Sequence, residues 1–189
     1  MHATLEEGRC DVVIGVPTNY DLVRTTKPYY RSTYVFVYPK GRGAKIASLD
    51  DPVLKTLRIG VHLLGDDYTN PPPAHELARR GVVGNVVGFS TFYSAENPPS
   101  AIIDAVASGR IDVAIVWGPL AGYFAGRQRV PLELVPVPSG KGDLPFVFAI
   151  SMGVKPGNEA LRDRLQKVLD NRQTEITTIL KDYGVPLAP

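Results

Sequence analysis

Cysteine, tryptophan and histidine are scarce in this chain of 189 residues: there is one Cys, one Trp and three His. A single thiol, Cys10 in the first expected strand, excludes an internal disulfide framework and any cysteine pair at metal-ligand spacing, and its expected role is that of a buried, inert thiol. His62 closes an expected strand and His75 starts an expected helix, and with no second ligand at metal spacing no metal site is expected. No apolar run approaches the roughly 20 residues needed to cross a bilayer, so no membrane span is expected. The opening Met1-His2-Ala3 lacks the basic and apolar regions of a secretion signal. An excess of one charge sign is also lacking, since the net charge is +2 with acids and bases interspersed, and nothing points to nucleic acid. Neither a Ser-His-Asp order nor a phosphate-binding or dinucleotide glycine pattern is present, so no catalytic residue and no cofactor are assigned.

What the chain does have is 44% hydrophobic residues, enough for one good core or two modest ones, and a repeat. GRCDVVIGVP at residues 8–17 returns as GRIDVAIVWGP at residues 109–119, each copy after a helix-like segment. Glycine behind helical periodicity supplies the left-handed residue that ends a helix, and the short branched run behind it fits a strand buried on both faces. Two helix-to-parallel-strand units suggest two α/β lobes of similar design, the alternative being chance similarity in a common α/β turn.

Between and around these copies the pattern predicts a helix end at residues 3–7 and strands at 11–16, 34–38, 57–62, 85–89, 111–117 and 146–152. Helices are expected at 74–80, 99–108, from Pro119 to Phe124, and at 159–183, where Leu161, Leu165, Val168, Leu169, Ile176, Ile179 and Leu180 form one stripe. The segment 132–137, flanked and interrupted by proline, reads as an exposed or connecting strand. A lobe entered after Tyr38 and left near Pro138, with α/β material on both sides, predicts one domain inserted into another: lobe one over 1–36 and 139–189, lobe two over 37–138. Such a layout makes a hinge and a cleft.

LEEGRCDVVIGVP, TTKPYYRSTYVFVYPKG, LRIGV and AIIDAVASGRIDVAIVWGP, in that order, resemble the type II periplasmic solute-binding proteins over nearly the whole chain. Within them, CDVVIGVP with KPYYRSTYVFVYPKG and IDVAIVWGPLAGYF is most similar to the J-type proteins (MxaJ and XoxJ) of methanol oxidation operons. The resemblance implies an α/β, two-lobed periplasmic-binding-protein-like fold, each lobe a mainly parallel sheet with flanking helices. It also implies a periplasmic location and a partner that is a PQQ-dependent (quinoprotein) alcohol dehydrogenase. Relatives begin with a strand, a helix and a strand before the first Gly-x-x-Asp unit, so lobe one is expected to lack two of its usual strands. Residues 11–16 would then form an apolar edge open to self-association, strand exchange or a retained fragment.

Departures from the amino-acid-binding members matter more. Where those place an Asp for the ligand ammonium, this chain has Trp117; Arg24 stands four residues before Pro28, nearer than the usual carboxylate clamp, and reads equally as a solvated arginine. Asp66 and Asp67 replace the anion-binding turn, as turn formers or as a calcium-binding or catalytic pair. The expected ligand- or partner-binding cleft residues are Tyr20, Arg24, Tyr29, Tyr30, Asp66, Tyr68, Tyr93 and Trp117, with Tyr29 and Tyr30 read equally as packing the lobes. Three functions follow: an accessory factor of the dehydrogenase acting by protein or small-ligand binding, a receptor of an ABC importer for a small non-amino-acid solute, and a dehydratase-like enzyme on the same scaffold. The first is favoured, and no enzyme activity is expected.

Overall fold

The computed structural model describes residues 5, 7–41, 46–64 and 70–189. Along the chain run β1 (Val12–Pro17), β2 (Arg24–Thr25), β3 (Tyr30–Pro39), β4 (Ile59–Leu63), α1 (Pro72–Arg79), β5 (Val86–Ser90), α2 (Ala101–Ala107), β6 (Val113–Trp117), α3 (Gly118–Ala125), β7 (Leu132–Pro136), β8 (Val147–Val154) and α4 (Glu159–Asp182). They form two units: Met1–Ser32 with Val147–Asp182 and Leu187–Pro189, and Thr33–Phe146 with Tyr183–Pro186. The helix end expected at residues 3–7 lies outside the described residues, apart from Leu5 and Glu7.

In the first unit β8 is the middle strand. β1 runs antiparallel to it, Val12 opposite Val154 and Pro17 opposite Ile150, with a bulge between Val13 and Val16, and β2 pairs antiparallel through Arg24 and Thr25. These antiparallel pairs correct the expectation of a mainly parallel sheet in lobe one: both β1 and β2 run against β8, the strand that brings the chain back into this unit. Nor is the first copy of the repeat buried on both faces. Ile14 is 67% exposed, because β1 has its described ladder on one side only, and of this strand Val16 joins the small core of Leu5 and Val23 while Val13 packs half-buried against it. Cys10 precedes β1 and is half-buried against that core, rather than within the strand. On α4 only Leu169 is fully buried while Val168 and Ile179 are exposed, since the helix packs on β8 and β2 along part of its stripe.

In the second unit β3 pairs antiparallel with both β6 and β7, and β4 lies parallel between β6 and β5. β7 is thus an edge strand, as its prolines predict. Alternation along β3 and β6 sends Phe36, Tyr38, Val113 and Ile115 to one face and Val35, Val37, Ala114 and Val116 to the other. The first face packs on Leu54, Ile59, Val61 and Leu77, and the second on Ile102, Ile103, Val106 and Ala121. β6, the second copy of the repeat, is therefore buried on both sides, its Val113, Ile115 and Val116 side chains each contributing about 1.5 to 3 kcal/mol.

The motif has a local explanation. Gly8 and Gly109 both take a left-handed φ, of 69° and 76°, and Gly109 does so directly after the cap of α2. Behind Gly109, the Asp112 carboxylate accepts hydrogen bonds from the Arg58 N–H (2.8 Å) and from Arg58 Nη2 (2.7 Å), while Nη2 also donates to the Gly109 carbonyl (2.8 Å). Arg58 and Asp112 each stand one residue before a strand, so the pair sets β4 beside β6 in register.

Candidate functional site

Parallel strands β5, β4 and β6 point the same way, so their carboxyl ends share one sheet edge. In open α/β sheets that edge is where ligands bind, because loops rather than further strand leave it. Here β6 ends on Trp117, which hands the chain directly to α3 with Pro119 in its first turn; β4 ends on His62 and Leu63; β5 ends on Ser90.

Tyr34 of β3 lies opposite Trp117 in the ladder, their ring centroids 5.4 Å apart and tilted by 60°. Tyr34 in turn meets the buried Phe146 edge-on at 6.2 Å. Trp117 follows the alternation of Val113 and Ile115, so this aromatic row continues the first core face to the end of the strand. Burial pushes the Tyr34 phenol up to about 12, so it stays a neutral hydroxyl. His62 meets Tyr93 edge-to-face at 6.4 Å, and burial lowers the imidazole pKa and raises that of the Tyr93 phenol. Trp117, Tyr34, His62 and Tyr93 are thus all uncharged at neutral pH. Flat rings with hydrogen-bonding tips suit the binding and orientation of a flat or hydroxyl-bearing group or of a protein segment.

Of the residues expected to line a cleft, the structure places Trp117 and Tyr93 on this edge. Asp66 and Tyr68, with Asp67, lie outside the described residues. Tyr20, Arg24, Tyr29 and Tyr30 belong to the first unit. Tyr20 packs, half-buried, against the small core of Leu5, Val16 and Val23. Arg24 is in β2, with its exposed guanidinium 3.6 Å from Glu159 at the start of α4. Tyr29 and Tyr30 meet edge-on at 5.0 Å; the Tyr29 hydroxyl donates to the Ile14 carbonyl, and Gln173 Nε2 donates to the Tyr29 carbonyl at 3.0 Å. Burial, with Tyr30 alongside, pushes the Tyr29 phenol up to about 12. The sequence reading missed Tyr34 and gave His62 no place beside Tyr93, because both depend on cross-strand register and loop path, not on spacing.

Among the described residues no three metal-ligating side chains converge. No helix of the described chain is long and apolar enough to cross a membrane.

No family model matches the chain. Protein MoxJ of Methylorubrum extorquens is 30% identical over 195 residues, covering 98% of this chain and 65% of MoxJ, so the chain spans just under two thirds of that relative. Among solved structures, the periplasmic binding protein XoxJ from Methylobacterium extorquens AM1 is 35% identical with a TM-score of 0.76, covering 95% of this chain and 76% of that one. MxaJ from Methlophaga aminisulfidivorans is 27% identical with a TM-score of 0.79, covering 98% and 79%. With this identity, coverage and shared architecture, the chain belongs to the MxaJ/XoxJ-type family of two-lobed α/β periplasmic binding proteins.

Proposed function

We propose that the protein is a periplasmic accessory factor of a PQQ-dependent alcohol dehydrogenase of the methanol-oxidising class, acting by binding and not by a catalytic step of its own. The supporting observation is Trp117 against Tyr34 at the carboxyl end of β6, uncharged rings where a receptor for amino acids needs an ammonium partner. The periplasmic binding protein XoxJ among its relatives supports the compartment, and the resemblance to the J-type proteins of methanol oxidation operons is what points to a dehydrogenase as the partner. Tryptophan and tyrosine are the side chains that most often supply binding energy between proteins, because each buries a large rigid surface and keeps one polar tip for a hydrogen bond.

Sedimentation velocity of the full chain with the quinoprotein dehydrogenase of the same organism tests this. A complex is expected that weakens about tenfold or more with Trp117→Ala and less with Trp117→Phe. The same aromatic edge is also suited to a small hydroxyl-bearing solute, the work of an importer's receptor. Thermal stabilisation by such a solute, with no complex at tens of micromolar dehydrogenase, would establish that second reading instead.

A further inference from the structure

We propose that residues 90–97, the loop after β5, form a preshaped plug whose tip, Phe92, enters an apolar socket with a basic rim on the partner protein. This rests on the accessory role above and names the surface that makes the contact.

Phe92 is 74% exposed, and it is flanked by Tyr93 at 47% and by Leu64, just past the end of β4, at 41%. Leu63 lies opposite Ser90 in the parallel ladder, so Leu64 and the loop leave the sheet side by side. A lone exposed apolar side chain is ordinary; this one is held out on a loop fixed by its own hydrogen bonds. The Phe92 N–H donates to Ser90 Oγ (3.0 Å), and Asn97 Nδ2 donates to the carbonyls of Ser90 (3.1 Å) and Phe92 (2.9 Å). Ser94 and Asn97 close the loop reciprocally: the Ser94 N–H donates to the Asn97 carbonyl (3.0 Å) and the Asn97 N–H to Ser94 Oγ (3.1 Å). Both ends are anchored, by the β4 ladder before Thr91 and by the Ala101 N–H on the Pro98 carbonyl ahead of α2. Tyr93 is further braced by His62. An ordered loop loses little conformational freedom on docking, which is the general advantage of a preorganised contact.

The occupant follows from shape and charge. Phe92 projects from a loop instead of lining a hollow, so a small solute cannot cover it and a socket on a protein can. Glu96 is fully exposed beside it; hydrogen bonds from its own N–H and from Ser94 Oγ (2.9 Å) hold its carboxyl below the ordinary range, so the rim that receives the plug must be basic. The same carboxylate opposes an anionic bilayer, and a two-fold contact between copies of this chain would bring two of them together.

The test is biolayer interferometry of the full chain against the quinoprotein dehydrogenase of the same organism, with sedimentation of the chain alone and flotation with anionic vesicles alongside. Phe92→Ala is expected to weaken the complex about tenfold or more while leaving the melting temperature unchanged, and Glu96→Lys to weaken it and to flatten its salt dependence. Unaltered affinity of Phe92→Ala, with the unsubstituted chain binding, overturns the plug and leaves the accessory role standing. Failure of the unsubstituted chain to bind at tens of micromolar overturns both. Loss of self-association or of vesicle binding with Phe92→Ala, at unaltered dehydrogenase affinity, likewise overturns the proposal by assigning the tip another occupant.

Discussion

Glu76 and Asp143, each with a side chain only 3% exposed, show what a buried acid needs to be tolerated at a single position. Glu76 accepts hydrogen bonds from Arg79 Nη2 (2.7 Å), from the Arg80 guanidinium Nη1 (2.5 Å) and from the Leu144 N–H (3.0 Å). Asp143 accepts from Arg80 Nη2 (2.9 Å) and the Gly140 N–H (2.8 Å), and also pairs with Arg79. The cluster thereby fastens α1 to the loop at 140–144. Burial pushes the Glu76 carboxyl up, but the Leu144, Arg79 and Arg80 hydrogen bonds outweigh it and leave it below its ordinary value; for Asp143 the Arg80 hydrogen bond dominates in the same downward direction. A depressed folded-state pKa means stability that is fully present above the unfolded values, 4.5 for Glu76 and 3.8 for Asp143, and lost as pH falls through the lower folded ones. Glu76→Gln removes one of the three acids that hold the largely buried Arg80, leaving Asp143 and Asp50, and is expected to cost about 1.5 to 3 kcal/mol at pH 7 through the lost charged hydrogen bonds. Urea midpoints at pH 7 and below pH 4 check both points: the unsubstituted protein loses stability between them, and the variant, already weakened, loses less.

The close approach of α3 to the segment Tyr183–Pro186 dominates at the scale of elements. A Cβ built on Gly122 would stand 1.9 Å from the Gly184 carbonyl oxygen, so only glycine lets the two backbones touch, and Gly184 itself has φ of 70°. The seat is finished by Tyr183 stacked on Tyr123 at 5.6 Å and by the Arg127 guanidinium 3.5 Å from the Tyr123 ring centre. Gly122→Ala is expected to lift the segment, lower stability by about 1 to 3 kcal/mol and open the chain near Tyr183 to protease, as a melting curve and a timed digest will show. In the sequence, Gly184-Val185-Pro186 was legible as a helix stop but not as a docking segment, since the partner glycine lies 62 positions earlier (184 minus 122) and pattern carries no such pairing. Strands β3, β4 and β6 and helix α2 were legible because each buries a run or a face of apolar residues. By contrast β2, two residues long and held by ladder bonds to Val154 and Gly153, offers no period to read. The repeat is half legible in the same sense: Gly8 and Gly109 behave alike, but burial separates β1 from β6 because burial depends on neighbours that the motif does not specify.

For the whole molecule, the fold is that of a periplasmic binding protein, and the uncharged rings at the carboxyl edge of β5, β4 and β6 are the ground for a prediction about amino acids. Trp117 was legible as the departure because it falls at the end of a repeated strand, whereas its Tyr34 partner emerged only with the antiparallel register of β3 on β6. A free α-amino acid brings an ammonium and a carboxylate, and each must trade its water for a charged or hydrogen-bonded partner. Trp117, Tyr34, His62 and Tyr93 supply no carboxylate for the ammonium, and the burial-lowered imidazole of His62 stays neutral and gives the carboxylate no counter-charge at pH 7. A desolvated, unpaired charge costs several kcal/mol, about a thousandfold in affinity, which moves a micromolar receptor to the millimolar range. The single tryptophan of the chain stands at that edge and reports on it directly. Titration with the common amino acids, Arg and Glu included, is therefore expected to leave the Trp117 emission unchanged and to give no calorimetric heat below millimolar concentration. Micromolar saturation of either signal by any one of them would mean that a carboxylate elsewhere in the chain reaches the ligand, and would return the protein to the amino-acid receptors its fold resembles.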